Sequence, residues 1–351
     1  MLAIKWYGND DARVTEVPRP APGPGEVLVR VLATGVCGTD LHVLSHGDWI
    51  GKAPASGVTM GHEFVGEVVE MGTDAVFAQK YPHVAAHVEV GTRVCAEPHI
   101  PCGNCYWCLR GESNTCVDIG HLGVTRDGSF AEYLTIPAER CSPVPDSVSD
   151  LAATGIEPVA CAVRALHRSR LAIGETVVVI GAGPMGQHVA RLATLSGASA
   201  VIVSEPNARR RAIASANGIE HLVDPASEDL VATVRDLTNG IGADVTFEVA
   251  GLDATVQQAI DVTRQGGRVV QVGVPTAAVT VDIRKVIIGE LEIIGEHATQ
   301  WDFGTAIDLV ARRRVDVDSL VTHTFALDQA LEAMAHAGEG GEAVKVVLTP
   351  P

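Results

Sequence analysis

Aromatic side chains are scarce in this chain: Phe, Trp and Tyr together make up 4% of its 351 residues. That leaves little from which to build a base-stacking surface for nucleic acid. Positive charge is also short, with 26 Lys and Arg against 43 Asp and Glu, a formal net charge of −17. Such a balance repels phosphate backbones and anionic lipid. Arg209-Arg210-Arg211 is a basic cluster of note, and three residues do not reverse that balance. No run approaches the roughly 18 apolar residues of a membrane helix. The first residues, MLAIKWYGNDD, turn acidic too early for a signal peptide. No internal repeat or low-complexity tract stands out. These absences point to a cytoplasmic protein whose partner is a small molecule.

What is present is glycine and cysteine. Gly numbers 36, which suits many tight turns between strands and helices, and 46% apolar residues give a sizeable core. Residues 1–150 read as β-rich, with short strands such as 26–33 and 64–71 bounded by Pro and Gly. Ala and Leu at helical spacing follow over 151–172. Strands and helices then alternate: strands at 177–180, 200–204, 243–249, 268–274 and 292–295, with helices at 185–196, 208–217, 253–264 and 303–313. Continuous apolar strands between helices indicate a parallel, doubly wound sheet.

Four of the eight cysteines form Cys102-x-x-Cys105-x-x-Cys108 followed by Cys116. Thiolates at this spacing can close a tetrahedral zinc shell in one short lobe. In a reducing compartment metal binding is favoured over disulfides. Gly181-Ala182-Gly183-Pro184-Met185-Gly186 is a G-x-G-x-x-G that follows a strand and opens a helix. That context marks a dinucleotide pyrophosphate site. Glu205 ends the next strand, where a carboxylate binds the ribose hydroxyls and disfavours NADP. Arg209 and Arg210 complicate this, since a nearby Arg can accept the extra phosphate; the expectation is NAD, with NADP the lesser alternative. Val272-Gly273-Val274, closing a later buried strand, completes the expected cofactor contacts with Arg210.

Cys37-Gly38-Thr39-Asp40-Leu41-His42 follows a strand, Gly61-His62-Glu63 precedes another, and Glu157 sits in a helix-forming stretch. Cys, His and Glu are all competent zinc ligands, and three protein ligands with an open position make a catalytic site. Singly, each has a plainer role as a core or capping residue.

Taken together, CGTDLH, GHEFVGEVVEMG, PCGNCYWCLRGESNTC, DGSFAEY, GIEP and GAGPMG resemble, in order, the zinc-containing medium-chain dehydrogenase/reductase family over essentially the whole length. The resemblance implies a GroES-like catalytic domain at 1–152 and 296–351 and a Rossmann domain at 153–295. It also implies a homotetramer or homodimer. It places the catalytic zinc on Cys37, His62 and Glu157, with Glu63 as a fourth or exchanging ligand. A structural zinc falls on Cys102, Cys105, Cys108 and Cys116, and a proton relay on Thr39 and His42. Glu157 in place of a second Cys resembles the sorbitol, butanediol and threonine dehydrogenase branch. Trp49 and His99 lean toward the threonine enzymes. Those enzymes tend to carry an Arg after the last Rossmann strand, where this chain has Gly295-Glu296-His297. Glu296 there suits a polyol hydroxyl or an amino group, and His297 joins it on the expected substrate side. The expected activity is hydride transfer from a secondary alcohol, polyol or amino alcohol to NAD, with L-threonine 3-dehydrogenase and a non-catalytic nucleotide-binding protein as alternatives.

Overall fold

A computed structural model describes residues 1–47, 53–75 and 88–351. The chain divides into two compact units, Met1–Ala160 with Ala298–Pro351, and Cys161–His297.

The second unit is built on six parallel strands. Across the sheet they run His221–Val223, Ala200–Ser204, Thr176–Ile180, Ala243–Glu248, Thr263–Gln271 and Glu292–Gly295. The order reverses between the first strand in sequence and the fourth, the switch point at which ligands bind in open parallel sheets. Val177, Val178, Val179 and Ile180 are buried, as a strand covered on both faces requires. The strand expected at 268–274 begins earlier, at Thr263, and ends at Gln271. Its register jumps: Ala243 pairs with Thr263, while Val245 pairs with Arg268. Gly266, at φ +67°, takes up the extra residues without a Cβ penalty. The short edge strand at 221–223 and the helix Leu230–Leu237 carry too brief an apolar pattern to stand out in the sequence.

The first unit centres on a seven-stranded sheet. Strand Glu26–Gly35 lies in its middle, pairing antiparallel with Glu63–Met71, Tyr133–Pro137 and Lys345–Thr349. A chain-terminal strand is therefore laid beside one that begins at residue 26. Three-stranded and two-stranded sheets complete the unit, the latter pairing His99–Ile100 with Gly120–His121.

Where strand Glu63–Met71 begins, the backbone turns at Gly61, φ +88°. A Cβ there would come within 2.1 Å of the Phe130 ring, which is fully buried. Gly61→Ala therefore combines left-handed strain with overpacking. It is expected to cost more than about 2 kcal/mol in denaturant unfolding; a loss below about 0.5 kcal/mol would show that the turn relaxes freely.

Candidate active site

The first helix of the chain, Gly38–His46, starts on a capping box that sets the site. The Cys37 sulfur accepts from Thr39 N at 3.4 Å, and Asp40 Oδ2 accepts from Cys37 N at 2.9 Å. The other oxygen of Asp40 accepts from Gly61 N at 3.3 Å and lies 3.7 Å from His62 Nδ1. One carboxylate, 1% exposed, thus ties the helix start to the turn that carries His62. Asp40 is read in the sequence only as part of CGTDLH; its spacing of three from Cys37 is the capping signal that could have singled it out.

The result is a cluster in which one donor atom each of Cys37, His62 and Glu63 lies within 4.8 Å of the others. The donor set is sulfur, imidazole nitrogen and carboxylate oxygen, which fits zinc. A second observation agrees: buried His62 Nδ1 has no hydrogen bond but faces Asp40, the carboxylate that orients a ligating imidazole in many zinc sites. Glu157, buried in the first turn of helix Ile156–Ser169, is not within that 4.8 Å group. It is near enough to act electrostatically on His62.

Burial opposes the charged form of His62, but Cys37, Asp40 and Glu157 outweigh it and raise its pKa to about 10. Burial also raises Asp40. Lys345, from the last strand, enters the same pocket of charge. Its Nζ donates to Val36 O at 3.0 Å and to a Glu63 carboxylate oxygen. Burial works against this ammonium, yet Glu63, Cys37 and Asp40 hold its pKa above the ordinary lysine value. The sequence reading passed over Lys345; a lone basic residue inside VKVVL, an otherwise apolar strand, was the available signal. His42, half-buried on the same helix as Thr39, has its pKa lowered by desolvation and then by His46.

The four-cysteine lobe is assembled as a second cluster. Sulfur–sulfur distances are 3.5 Å for Cys105–Cys108, 3.8 Å for Cys105–Cys116 and 3.5 Å for Cys102–Cys116. A tetrahedron of thiolates about 2.3 Å from zinc has edges near 3.8 Å, whereas a disulfide needs about 2.05 Å. None of the eight cysteines is joined in a disulfide. Cys102 N and Asp118 N donate to Cys116 Sγ, each at 3.4 Å. The Cys108 and Val117 backbone amides lower Cys105 to about 6, while burial and its neighbours push Cys108 up to about 12.

In the second unit the glycine motif opens helix Pro184–Leu195. Gly181 has φ +99°, and a Cβ on Gly186 would meet Gly181 O at 1.9 Å. Nothing stands within 4 Å of a Cβ placed on Gly183. The helix start has no side-chain cap, so backbone N–H groups face an open approach suited to a pyrophosphate. Pro184 is the first helical residue and Met185 the second, and both are half-buried. Glu205 ends its strand turned toward this loop, accepting from Ala182 N at 2.7 Å and Asn207 N at 2.9 Å. Arg210 Nη1 lies 3.9 Å from it. Val272 N and Gly273 N both donate to Glu248 O, while Val274 is exposed. Glu296 and His297 follow strand Glu292–Gly295 in this unit. His99 is buried in the first unit, against His121. Trp49, and residues 77–87 of an insertion-like stretch with no functional account, lie outside the described residues.

Comparison with known proteins bears on this arrangement. The alcohol dehydrogenase GroES-like domain pattern matches residues 23–146, and the zinc-binding dehydrogenase pattern matches residues 184–312. An L-threonine 3-dehydrogenase of Pyrococcus horikoshii is 37% identical, with 98% of each chain aligned. The chain belongs to the zinc-containing alcohol dehydrogenase family. A sorbitol dehydrogenase of Halalkalibacterium halodurans is 34% identical over 99% of this chain and 98% of its own. Among solved structures, a zinc-binding dehydrogenase of Sinorhizobium meliloti 1021 bound to NADP superposes with a TM-score of 0.90 at 32% identity, covering 99% of both chains. The 2R,3R-butanediol dehydrogenase of Bacillus subtilis gives 0.87 at 29% identity, covering 100% of this chain and 99% of that one. As a member of this family the protein is a zinc-dependent, NAD(P)-linked oxidoreductase acting on CH–OH groups. Its fold is the family's GroES-like and Rossmann pair. No helix among the described residues is long and apolar enough to cross a membrane.

The charge cluster generates a prediction for this dehydrogenase. Lys345→Met leaves the Glu63 carboxylate buried without its cation. A loss of about 3–5 kcal/mol is expected on chemical unfolding, with Glu63→Gln in the same background recovering part of it. Absence of coupling between the two substitutions would show that the pair contributes nothing.

Proposed function

We propose that the protein oxidises a secondary alcohol, polyol or amino alcohol with NAD, giving the ketone. The observation that carries this reading is the Cys37–His62–Glu63 cluster, its His62 and Glu63 buried and in contact with Asp40 and Lys345. Cys37, His62 and Glu157 would hold the catalytic zinc, with Glu63 as an exchanging fourth ligand released or retained through its Lys345 contact. Cys102, Cys105, Cys108 and Cys116 would hold a structural zinc, making two per chain. Bound zinc supplies Lewis acidity that lowers the pKa of an alcohol, and NAD supplies the hydride acceptor.

The chain's own residues do the rest. Asp40, whose Oδ1 lies 3.7 Å from His62 Nδ1, would orient the imidazole toward the metal. The Thr39 hydroxyl starts the proton's path and His42 receives it. Desolvation favours the neutral, proton-accepting form of His42. Gly181, Gly183 and Gly186 let the cofactor pyrophosphate approach the helix start. Glu205 supports NAD over NADP because its buried carboxylate sits where an added ribose phosphate would place negative charge. The substrate is small, and the protein is cytoplasmic. The proposed homodimer or homotetramer has a candidate edge: Glu292–Gly295 ends the six-stranded sheet beside exposed Ile283, Ile287, Ile288 and Ile293. L-Threonine is the second substrate reading, favoured by the 37% identity to a named threonine dehydrogenase. Gly295-Glu296-His297 argues against it, because this stretch carries no Arg for the amino acid carboxylate where the threonine enzymes tend to have one.

Three outcomes test this reading. NADH production from a panel of L-threonine, 2,3-butanediol, sorbitol, amino polyols and simple secondary alcohols should be strongest on a polyol or amino alcohol and weak on threonine; dominance of threonine would reverse the two readings. NAD should bind at least ~10-fold more tightly than NADP, as read by calorimetry. The kcat/KM profile should fall on the acid side through an apparent pKa below the ordinary histidine value of about 6.5. A His42→Ala variant with the same profile would remove His42 from the relay.

A further inference from the structure

Glu205 flanks the glycine loop on one side, and a second buried carboxylate flanks it on the other. Glu248 is the last residue of strand Ala243–Glu248, is 0% exposed, and has no part in the reading above. Its strand pairs with Thr176–Ile180, which runs into Gly181, and with Thr263–Gln271. Glu248 thus stands at the point where the strand order reverses, across the glycine loop from Glu205.

This carboxylate joins two turns. Oε1 accepts from Ala250 N and Gly251 N, each at 2.9 Å, and from Thr255 Oγ1 at 2.8 Å. Oε2 accepts from Gly251 N at 3.1 Å and from the Gln271 side-chain amide. Gln271 Nε2 also donates to Gly273 O at 2.7 Å; both of its neighbours accept, which settles the amide's orientation. The turn after one strand, 249–252, and the turn after the next, 272–274, are therefore tied to the same side chain. They meet backbone to backbone. A Cβ on Gly273 would come 2.3 Å from Gly251 N and 2.8 Å from Glu248 Oε2, and one on Gly251, φ +69°, would come 3.0 Å from Val274 O. The nearer turn also abuts the glycine loop, since a Cβ on Gly181 would lie 3.3 Å from Ala250 N. Every group around the carboxylate donates to it. An amide in its place would set an N–H2 against one of those donors.

We propose that Glu248 is a positioning residue for the second nucleotide of the cofactor, the half beyond the pyrophosphate from the ribose assigned to Glu205. A dinucleotide crosses an open parallel sheet where the strand order reverses. With the pyrophosphate on the glycine loop and Glu205 on one flank, the second nucleotide falls to the flank walled by 249–252 and 272–274. This rests on the reading of 181–186 as the pyrophosphate site. Both Glu248 oxygens already face protein donors, so the residue acts by holding the two turns together rather than by contact.

The probes are AMP, which carries the adenine half alone, and NADH, each titrated by calorimetry into the zinc-loaded protein. Glu248→Gln should weaken NADH at least ~10-fold and leave AMP within about twofold of wild type. KM for NAD should rise by a similar factor while zinc content stays unchanged. Gln271→Met keeps the carboxylate and its own turn but cuts the side-chain tie to the second turn. It should give the same split to a smaller extent, and it keeps the test open where Glu248→Gln fails to fold. Unchanged NADH affinity in both variants would overturn the proposal. So would parallel loss of AMP and NADH, which marks general damage to the sheet. Failure of the pyrophosphate-site reading looks different: wild-type protein would bind neither AMP nor NADH nor NADPH, and the proposal would fall with it.

Discussion

Everything in the first unit turns on how five ionisable side chains share one buried place. Asp40, His62, Glu63 and Lys345 are all less than 6% exposed, and Cys37 is half-buried against them. Isolated charges in such a setting would cost several kcal/mol each. They persist because each has a counter-charge or a backbone hydrogen-bond partner: Asp40 accepts from the amides of Cys37 and Gly61, and Lys345 donates to the Val36 carbonyl and to Glu63. Two carboxylates and a thiol then face two cations, a balance that a divalent metal would alter at once. His62 would give up its proton to become a ligand, so uptake is coupled to pH.

That arrangement explains why the fold needs its particular topology. Cys37 comes from the end of the central strand, His62 and Glu63 from its neighbour's start, and Lys345 from the chain's last strand. Strand pairing across residues 35 and 347 is what delivers Lys345 to Glu63. Glycine supplies clearance where these parts meet: a Cβ on Gly35 would strike both the Glu63 carboxylate and the Lys345 side chain. The same economy governs the nucleotide loop, where Gly186 lets the helix rest against Gly181 O.

Much of this was legible in the sequence because it is local. The four cysteines lie within fifteen residues, and the glycine motif names its own strand, turn and helix, so spacing alone carried both. The alternation of strands and helices over 176–295 was equally plain, apart from a three-residue edge strand and a bulge whose register no period reveals. What stayed hidden depends on long-range pairing. Lys345 reaches Glu63 across 282 positions, and no local pattern joins them. His121 looked like a loop histidine until its strand was placed opposite His99. Asp40 had a readable cap spacing, but its contact with the His62 turn is tertiary.

Glu205 shows how one residue can serve two constraints. In the sequence it is a ribose-binding carboxylate; in the structure both of its oxygens already accept backbone N–H groups, from Ala182 in the glycine loop and from Asn207 beyond the strand. The carboxylate therefore shapes the pyrophosphate loop before any ribose arrives. Arg211 is held by Glu205 O and Asp224, which keeps that guanidinium from serving as a free phosphate receptor. Arg210 lies 3.9 Å from the carboxylate. A 2′-phosphate would have to win Arg210 from Glu205 and accept the negative charge beside it, whereas a 2′-hydroxyl has only to donate to an oxygen that can take a second hydrogen bond. The proposed preference for NAD would then follow from the same carboxylate that builds the loop.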